Sequence, residues 1–110
     1  MAYYALNLFD VKDPEGYREY IRRARPVNEN SLGSEVLAFG KLTDEVPQQF
    51  PGSTLGGAQR WLLLVRFKEY TGPKQMFENP EYAKVSHLRA DSTENYVWAY
   101  YQDADIFAEE

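Results

Sequence analysis

The chain has 110 residues, enough for one hydrophobic core and too few for two. Seventeen acidic against twelve basic residues give a formal charge of −5, which disfavours binding to nucleic acid or to an anionic membrane surface. Cysteine is absent, which excludes disulfides, a thiolate nucleophile and cysteine-ligated metal, and a single histidine, His87, excludes a histidine-rich zinc site within one chain.

Residues 2–9 read as a strand, with Tyr, Leu and Phe clustered before a polar break. Asp13-Pro14-Glu15 then forms a helix start: an N-cap aspartate, a proline at the first helical position and an acid in the first turn. Tyr17, Tyr20, Ile21 and Ala24 follow at i, i+3, i+4 and i+7, one face of a helix that Pro26 is expected to end or kink. The polar stretch at 28–33 is loop-like, with room for one further helical turn after the proline. Residues 36–42 form a second predicted strand. The connection at 43–59 contains Pro47, Pro51, Gly52, Gly56 and Gly57, and its length predicts a mobile or functional loop. Residues 60–68, centred on Trp61-Leu62-Leu63-Leu64-Val65, form the clearest strand. Thr71-Gly72-Pro73 opens a short helix through Phe77, Asn79-Pro80 interrupts it, and a second helical piece is expected from Pro80 to about Ala90. Residues 95–102 form the last strand, before an acidic tail. No repeat or linker divides the chain, so residues 1–110 read as a single domain. The amino terminus has no signal-peptide pattern, and the longest apolar run is far shorter than the roughly 20 residues of a membrane span. A cytoplasmic protein is expected.

The order βαββαβ predicts an α+β, ferredoxin-like fold: a four-stranded antiparallel sheet with two helices on one face. The third strand is apolar on both sides, and the fourth alternates Tyr96, Trp98 and Tyr100 with Val97, Ala99 and Tyr101. Strands of this kind need both faces covered, and two helices cover only one. The second face is expected to pack on another copy of the chain, with the 43–59 loop folding back over it as the alternative. An aromatic share of 15% also exceeds what a small core needs, and suggests a cavity wall or an interface.

Two segments carry a resemblance. Asp13-Pro14-Glu15-Gly16-Tyr17 after the first strand, then Tyr20 and Pro26, is one; Phe77-Glu78-Asn79-Pro80-Glu81-Tyr82 with Leu88-Arg89 downstream is the other. Together they resemble a family of small bacterial proteins known as domain of unknown function 1330, within the dimeric α+β barrel superfamily. The loop at 43–59 looks longer than the family's and lacks a clear Glu-Gly stretch before the third strand. The resemblance implies a homodimer whose sheets face each other as a barrel. Across the superfamily are cofactor-free monooxygenases, polyketide cyclases, muconolactone-isomerase-like enzymes and ligand-sensing domains, so the fold alone does not fix a function.

On a helical wheel for residues 80–90, Tyr82, Val85 and Leu88 form the apolar arc, and Arg89 falls inside it at about 40° from Val85. A guanidinium there must be paired or reach a wet cavity. Either Arg89 lines a cleft and binds an anionic or carbonyl oxygen, or it pairs with Asp91 or Glu94. His87 suggests itself as a general base but falls opposite the arc, towards solvent or a partner. Tyr96, Trp98 and Tyr100 share one side of the last strand and either wall a ligand pocket or serve as core and interface, with Tyr3 or Tyr4 as a possible extension of the row. Arg66 is an inward charge of the barrel or half of an interface ion pair. Arg18, Arg22 and Arg25 share a stripe with Arg23 nearby, which either binds phosphate or, with Glu19 pairing to Arg22 and Arg23, is a solvated, charge-laced face, the reading preferred here. Three functions follow as expectations: an enzyme without metal or organic cofactor acting on a small aromatic or enolisable compound, a non-catalytic small-ligand module, or a structural homodimer. In the first, Arg89, Tyr82 and His87 are the catalytic candidates.

Overall fold

Asp13 caps the first helix as its sequence predicts, its side chain accepting from the Gly16 amide at 3.1 Å. The computed structural model describes residues 2–42 and 60–108, so the predicted loop at 43–59 lies outside the described residues. Its elements are β1 (Tyr3–Val11), α1 (Pro14–Leu32), β2 (Glu35–Lys41), β3 (Trp61–Phe67), α2 (Gly72–Glu78), α3 (Pro80–Ala83), α4 (Ser86–Ser92) and β4 (Thr93–Gln102). The strands form one antiparallel sheet in the order β2-β3-β1-β4, the ferredoxin-like α+β arrangement.

Two helix boundaries differ from the sequence reading. Pro26 does not end α1, which continues to Leu32 and stops at Gly33 in the left-handed conformation, φ 63°. The proline removes one donor, towards the carbonyl one turn back, on an exposed side of the helix where water can replace it. An ion pair between Arg25 Nε and Glu29 Oε1 at 2.7 Å spans the site, and Val27 packs on the core beyond it. The second change is that the helix expected from Pro80 onward is two pieces. Asn79 caps α3 by accepting from the Glu81 amide at 2.8 Å, and the chain then turns at Lys84 and Val85 before α4. No glycine or proline marks this turn. Its effect is to bury both Tyr82 and Val85.

Register assigns the faces. Ala5, Asn7 and Phe9 of β1 lie opposite Val65, Leu63 and Trp61 of β3, and this side carries the helices. Phe9, Tyr17, Tyr20, Ala24, Tyr82 and Val85 form the core there. In β2 the register shifts between Val36 and Ala38, so Val36 and Phe39 both face α1 although they are three residues apart. On the other side lie Leu6, Leu8, Leu62, Leu64, Val97 and Ala99, and no described element covers them. This half-open sheet is what the two-sided strands implied.

Gly72 shows how closely α2 seats on the sheet. A Cβ there would lie 2.4 Å from Cδ1 of Phe67, a ring that is itself buried. Gly72→Ala is therefore expected to lower stability by about 1–3 kcal/mol through overpacking. An unchanged urea midpoint for the variant would show that α2 shifts outward without cost.

Candidate functional site

Between α1 and the β2–β3 half of the sheet, the described residues border a cleft of about 750 Å³. Its walls are apolar, built from Ile21 of α1 and from Val36, Phe39, Trp61, Leu63 and Val65 of the sheet. The β2 bulge is what brings both Val36 and Phe39 to this wall. Arg18, Arg22 and Arg25 stand at the mouth, and each is paired along the helix, with Glu15, Glu19 and Glu29 respectively. The arginine stripe is thus the charge-laced face expected from sequence. Lys41 lies over the ring of Trp61 at 5.7 Å.

The cleft leads to a small chamber of about 50 Å³ under α2 and α4, and Tyr20, Asn28, Ser34, Leu63 and Val65 line both spaces. Arg89 of α4 reaches this chamber with Tyr96 and Trp98 of β4. Its guanidinium lies 5.3 Å from the Tyr96 ring centre and 5.7 Å from that of Phe77. It forms no ion pair among the described residues, and Asp91 and Glu94 are exposed. The salt bridge considered from sequence is not formed.

Phenols surround this cation. The Tyr20 and Tyr82 hydroxyls share a hydrogen bond of 2.8 Å, and the Tyr96 hydroxyl donates to Asn7 Oδ1 at 2.7 Å. Asn7 is fixed in turn, its Nδ2 donating to the Leu63 carbonyl at 3.0 Å. Burial pushes Tyr96 up to about 12, although the Arg89 guanidinium beside it acts in the opposite direction. Burial raises Tyr17 and Tyr20 further still. All three phenols therefore stay protonated at neutral pH, as donors without charge. Among the described residues, the Tyr17 hydroxyl and Asn28 Oδ1 are buried without a hydrogen-bond partner, and both residues line the cleft. Buried polar atoms left unpaired are costly, and a ligand's polar groups are one means of satisfying them.

The other predicted residues lie elsewhere. Tyr100 sits at the far end of the row, stacked with Tyr3 at 5.9 Å and donating to the Tyr70 carbonyl at 3.1 Å. Tyr3 rather than Tyr4 extends the row. Arg66 is exposed on the open face, paired in register with Tyr4 and Glu35, on the opposite side of the sheet from Arg89. His87 is exposed on α4. Asn7 and Asn28 were not singled out from sequence, and Tyr17 and Tyr20 were read there as the apolar face of the first helix and part of the resemblance, not as site residues. Asn7, an amide inside an apolar strand, was the one signal that could have been read. No group of three or more His, Asp or Glu side chains suited to a metal occurs among the described residues. Nor is any of their helices long and apolar enough to cross a membrane.

The fold is shared with solved structures of low sequence identity. A Rhodopseudomonas palustris protein of unknown function superposes with a TM-score of 0.71 at 18% identity, over 94% of this chain and 83% of that one. A Bacteroides fragilis protein of unknown function, described as dimeric and ferredoxin-like, gives 0.55 at 14% identity over 93% and 96%. A Nitrosomonas europaea protein named as a candidate antibiotic biosynthesis monooxygenase gives 0.59 at 15% identity over 93% and 89%. No curated protein matches the sequence. Residues 1–100 match the family described as domain of unknown function DUF1330, and with its ferredoxin-like sheet and helices in place the chain belongs to that family.

Proposed function

We propose that this chain is a cytoplasmic small-molecule protein, working as a homodimer joined through its open sheet faces and holding its ligand in the cleft between α1 and the sheet. The observation that carries the ligand site is the gradient within the cleft. Apolar walls at the mouth lead to an inner end where, among the described residues, Arg89 has no carboxylate partner, the phenols are neutral and the Tyr17 hydroxyl and Asn28 Oδ1 have no hydrogen-bond partner. Ligand pockets are commonly built this way, with a large apolar surface and a few convergent polar groups. The dimer is supported by the uncovered apolar face and by the dimeric description of the B. fragilis neighbour.

An enzyme without a cofactor, of isomerase, cyclase or monooxygenase type, is the first reading of the activity, with a small aromatic or enolisable substrate. The name of the N. europaea neighbour supports the monooxygenase form of it. In this reading Arg89 and the phenol of Tyr20 stabilise negative charge developing on a substrate oxygen, while Tyr82, which lines neither space, positions Tyr20 through their shared hydrogen bond and Tyr96 flanks the guanidinium. Trp98 and Leu63 flank the ligand. Tyr100, Arg66 and His87 lie away from the cleft and have no part in it. A non-catalytic binding or sensing module is the second reading. It is favoured by the chamber's make-up, since none of its described side chains is a histidine or carboxylate able to take up a proton.

A thermal-shift screen with aromatic acids, phenols and lactones tests the site. A compound at one hundred times its Kd stabilises by about 2.7 kcal/mol, a rise of roughly 10 °C in Tm for a domain of this size. Val36→Trp, which fills the cleft from the edge strand, is expected to abolish the shift and leave the unliganded Tm close to wild type. A shift that survives Val36→Trp would place the ligand outside the cleft.

A further inference from the structure

We infer that the ligand of this cleft carries a carboxylate on an apolar body, with the carboxylate seated in the inner chamber on the planar fork of Arg89. The inference rests on the reading of the cleft as a ligand site and adds the chemical class of what enters it.

Arg89 is the one charged side chain among the described residues lining the chamber. Its contacts with the protein are of a particular kind. The rings of Tyr96 and Phe77 meet the cation at 5.3 and 5.7 Å, the Tyr96 side chain is also its hydrogen-bond partner, and no ion pair among the described residues engages its remaining N–H donors. Aromatic contact offsets part of the desolvation of a guanidinium and leaves the forked donors in its plane able to engage two oxygens of one group. The usual intramolecular claimants are turned away, since Asp91 and Glu94 are exposed although both lie within a few residues of it. The surrounding phenols supply no negative charge either, because burial keeps Tyr17, Tyr20 and Tyr96 protonated.

The size and position of the chamber define the rest of the ligand. A space of about 50 Å³ takes a head group and not a ring. The wider cleft that shares its lining at Tyr20, Leu63 and Val65 is walled by Phe39, Trp61 and Ile21. A ligand reaching both spaces is therefore charged at one end and apolar at the other. The Tyr17 hydroxyl, without a hydrogen-bond partner among the described residues, lines the cleft on the way in, buried to 5% exposure, and is available to donate to the same carboxylate or to a second ligand oxygen.

Isothermal titration with two matched pairs tests this: phenylacetate against phenylacetamide, and cyclohexylacetate against cyclohexylacetamide. A hydrogen bond to a charged group contributes about 1.5–3 kcal/mol, so each acid is expected to bind about 10- to 100-fold more tightly than its amide. Arg89→Gln should bring the ratio close to unity while leaving the amides at wild-type affinity, and Arg89→Lys should restore only part of it. A wild-type reading guards against a variant that fails to fold: the assigned Nε–Hε signal of Arg89 should move with phenylacetate and stay in place with phenylacetamide. Acid and amide binding alike in the wild-type protein would overturn the carboxylate and leave the cleft standing. An acid preference that persists in Arg89→Gln would overturn it too, moving the anion to the mouth near Lys41. If no member of either pair bound at millimolar concentration, the inference and the ligand site would fall together.

Discussion

Tyr82→Ala should be among the most destabilising single substitutions in the domain, lowering stability by about 3–5 kcal/mol as large-to-small changes of buried aromatics do. Tyr82 is fully buried and its ring packs edge-on against Tyr20 and Phe77 at 6.3 and 6.0 Å. Truncation leaves a cavity where α1, α2 and α3 meet, and removes the partner of the Tyr20 hydroxyl in the 2.8 Å hydrogen bond. Against a total of about 5–15 kcal/mol for a typical domain, such a loss takes the protein to the edge of unfolding at room temperature. Tyr82→Phe separates the two contributions. It keeps the ring and leaves one buried hydroxyl unpaired, at about 1–3 kcal/mol. Urea midpoints measured at one fixed protein concentration check both. A cost for Tyr82→Ala no larger than that of Tyr82→Phe would mean that the ring is not a packing element and that the helical layer collapses around its loss.

Leu64→Glu is expected to turn the proposed homodimer into a monomer. Leu64 lies at the middle of the open face, beside Leu6 of β1 and Ala38 of β2 in register. In an isologous pair of facing sheets, symmetry places the substitution on both copies. Each introduced carboxylate would have to leave water for a low-dielectric layer, at several kcal/mol per ion. The same substitution in an isolated chain keeps the carboxylate in water, so the monomer should retain its helical and sheet content. Sedimentation of wild type and variant decides the matter, with the mass expected to halve. A wild-type chain that sediments as a monomer, or a variant that remains a dimer, removes the sheet face as the contact.

The fold was legible because its signals are local and periodic. The Asp13-Pro14 cap, the i, i+3, i+4, i+7 apolar face of α1 and the continuous apolar run of β3 each reside in a few consecutive residues. The wheel over residues 80–90 placed Tyr82 and Val85 inside and His87 outside, and the structure agrees even though the helix breaks at Lys84 and Val85. Pro26 was overread because its cost depends on whether the freed carbonyl meets water, a property of its exposure in the fold.

The amino-acid sequence by itself determined the element order, the two-sided apolar character of β3 and β4, and the position of Arg89 on the inner arc of its helix. Periodicity and capping suffice for these, since they depend on neighbours within one or two turns. Only the tertiary structure decided that Val36 and Phe39 share a wall, because a bulge of one residue reverses the alternation that sequence implies. It alone decided that Asn7, Tyr17, Tyr20 and Asn28 converge near Arg89, and that Tyr100 and Arg66 do not. Those residues come from separate strands and helices, and their meeting depends on strand register and helix seating, which act over distances along the chain that no local pattern records.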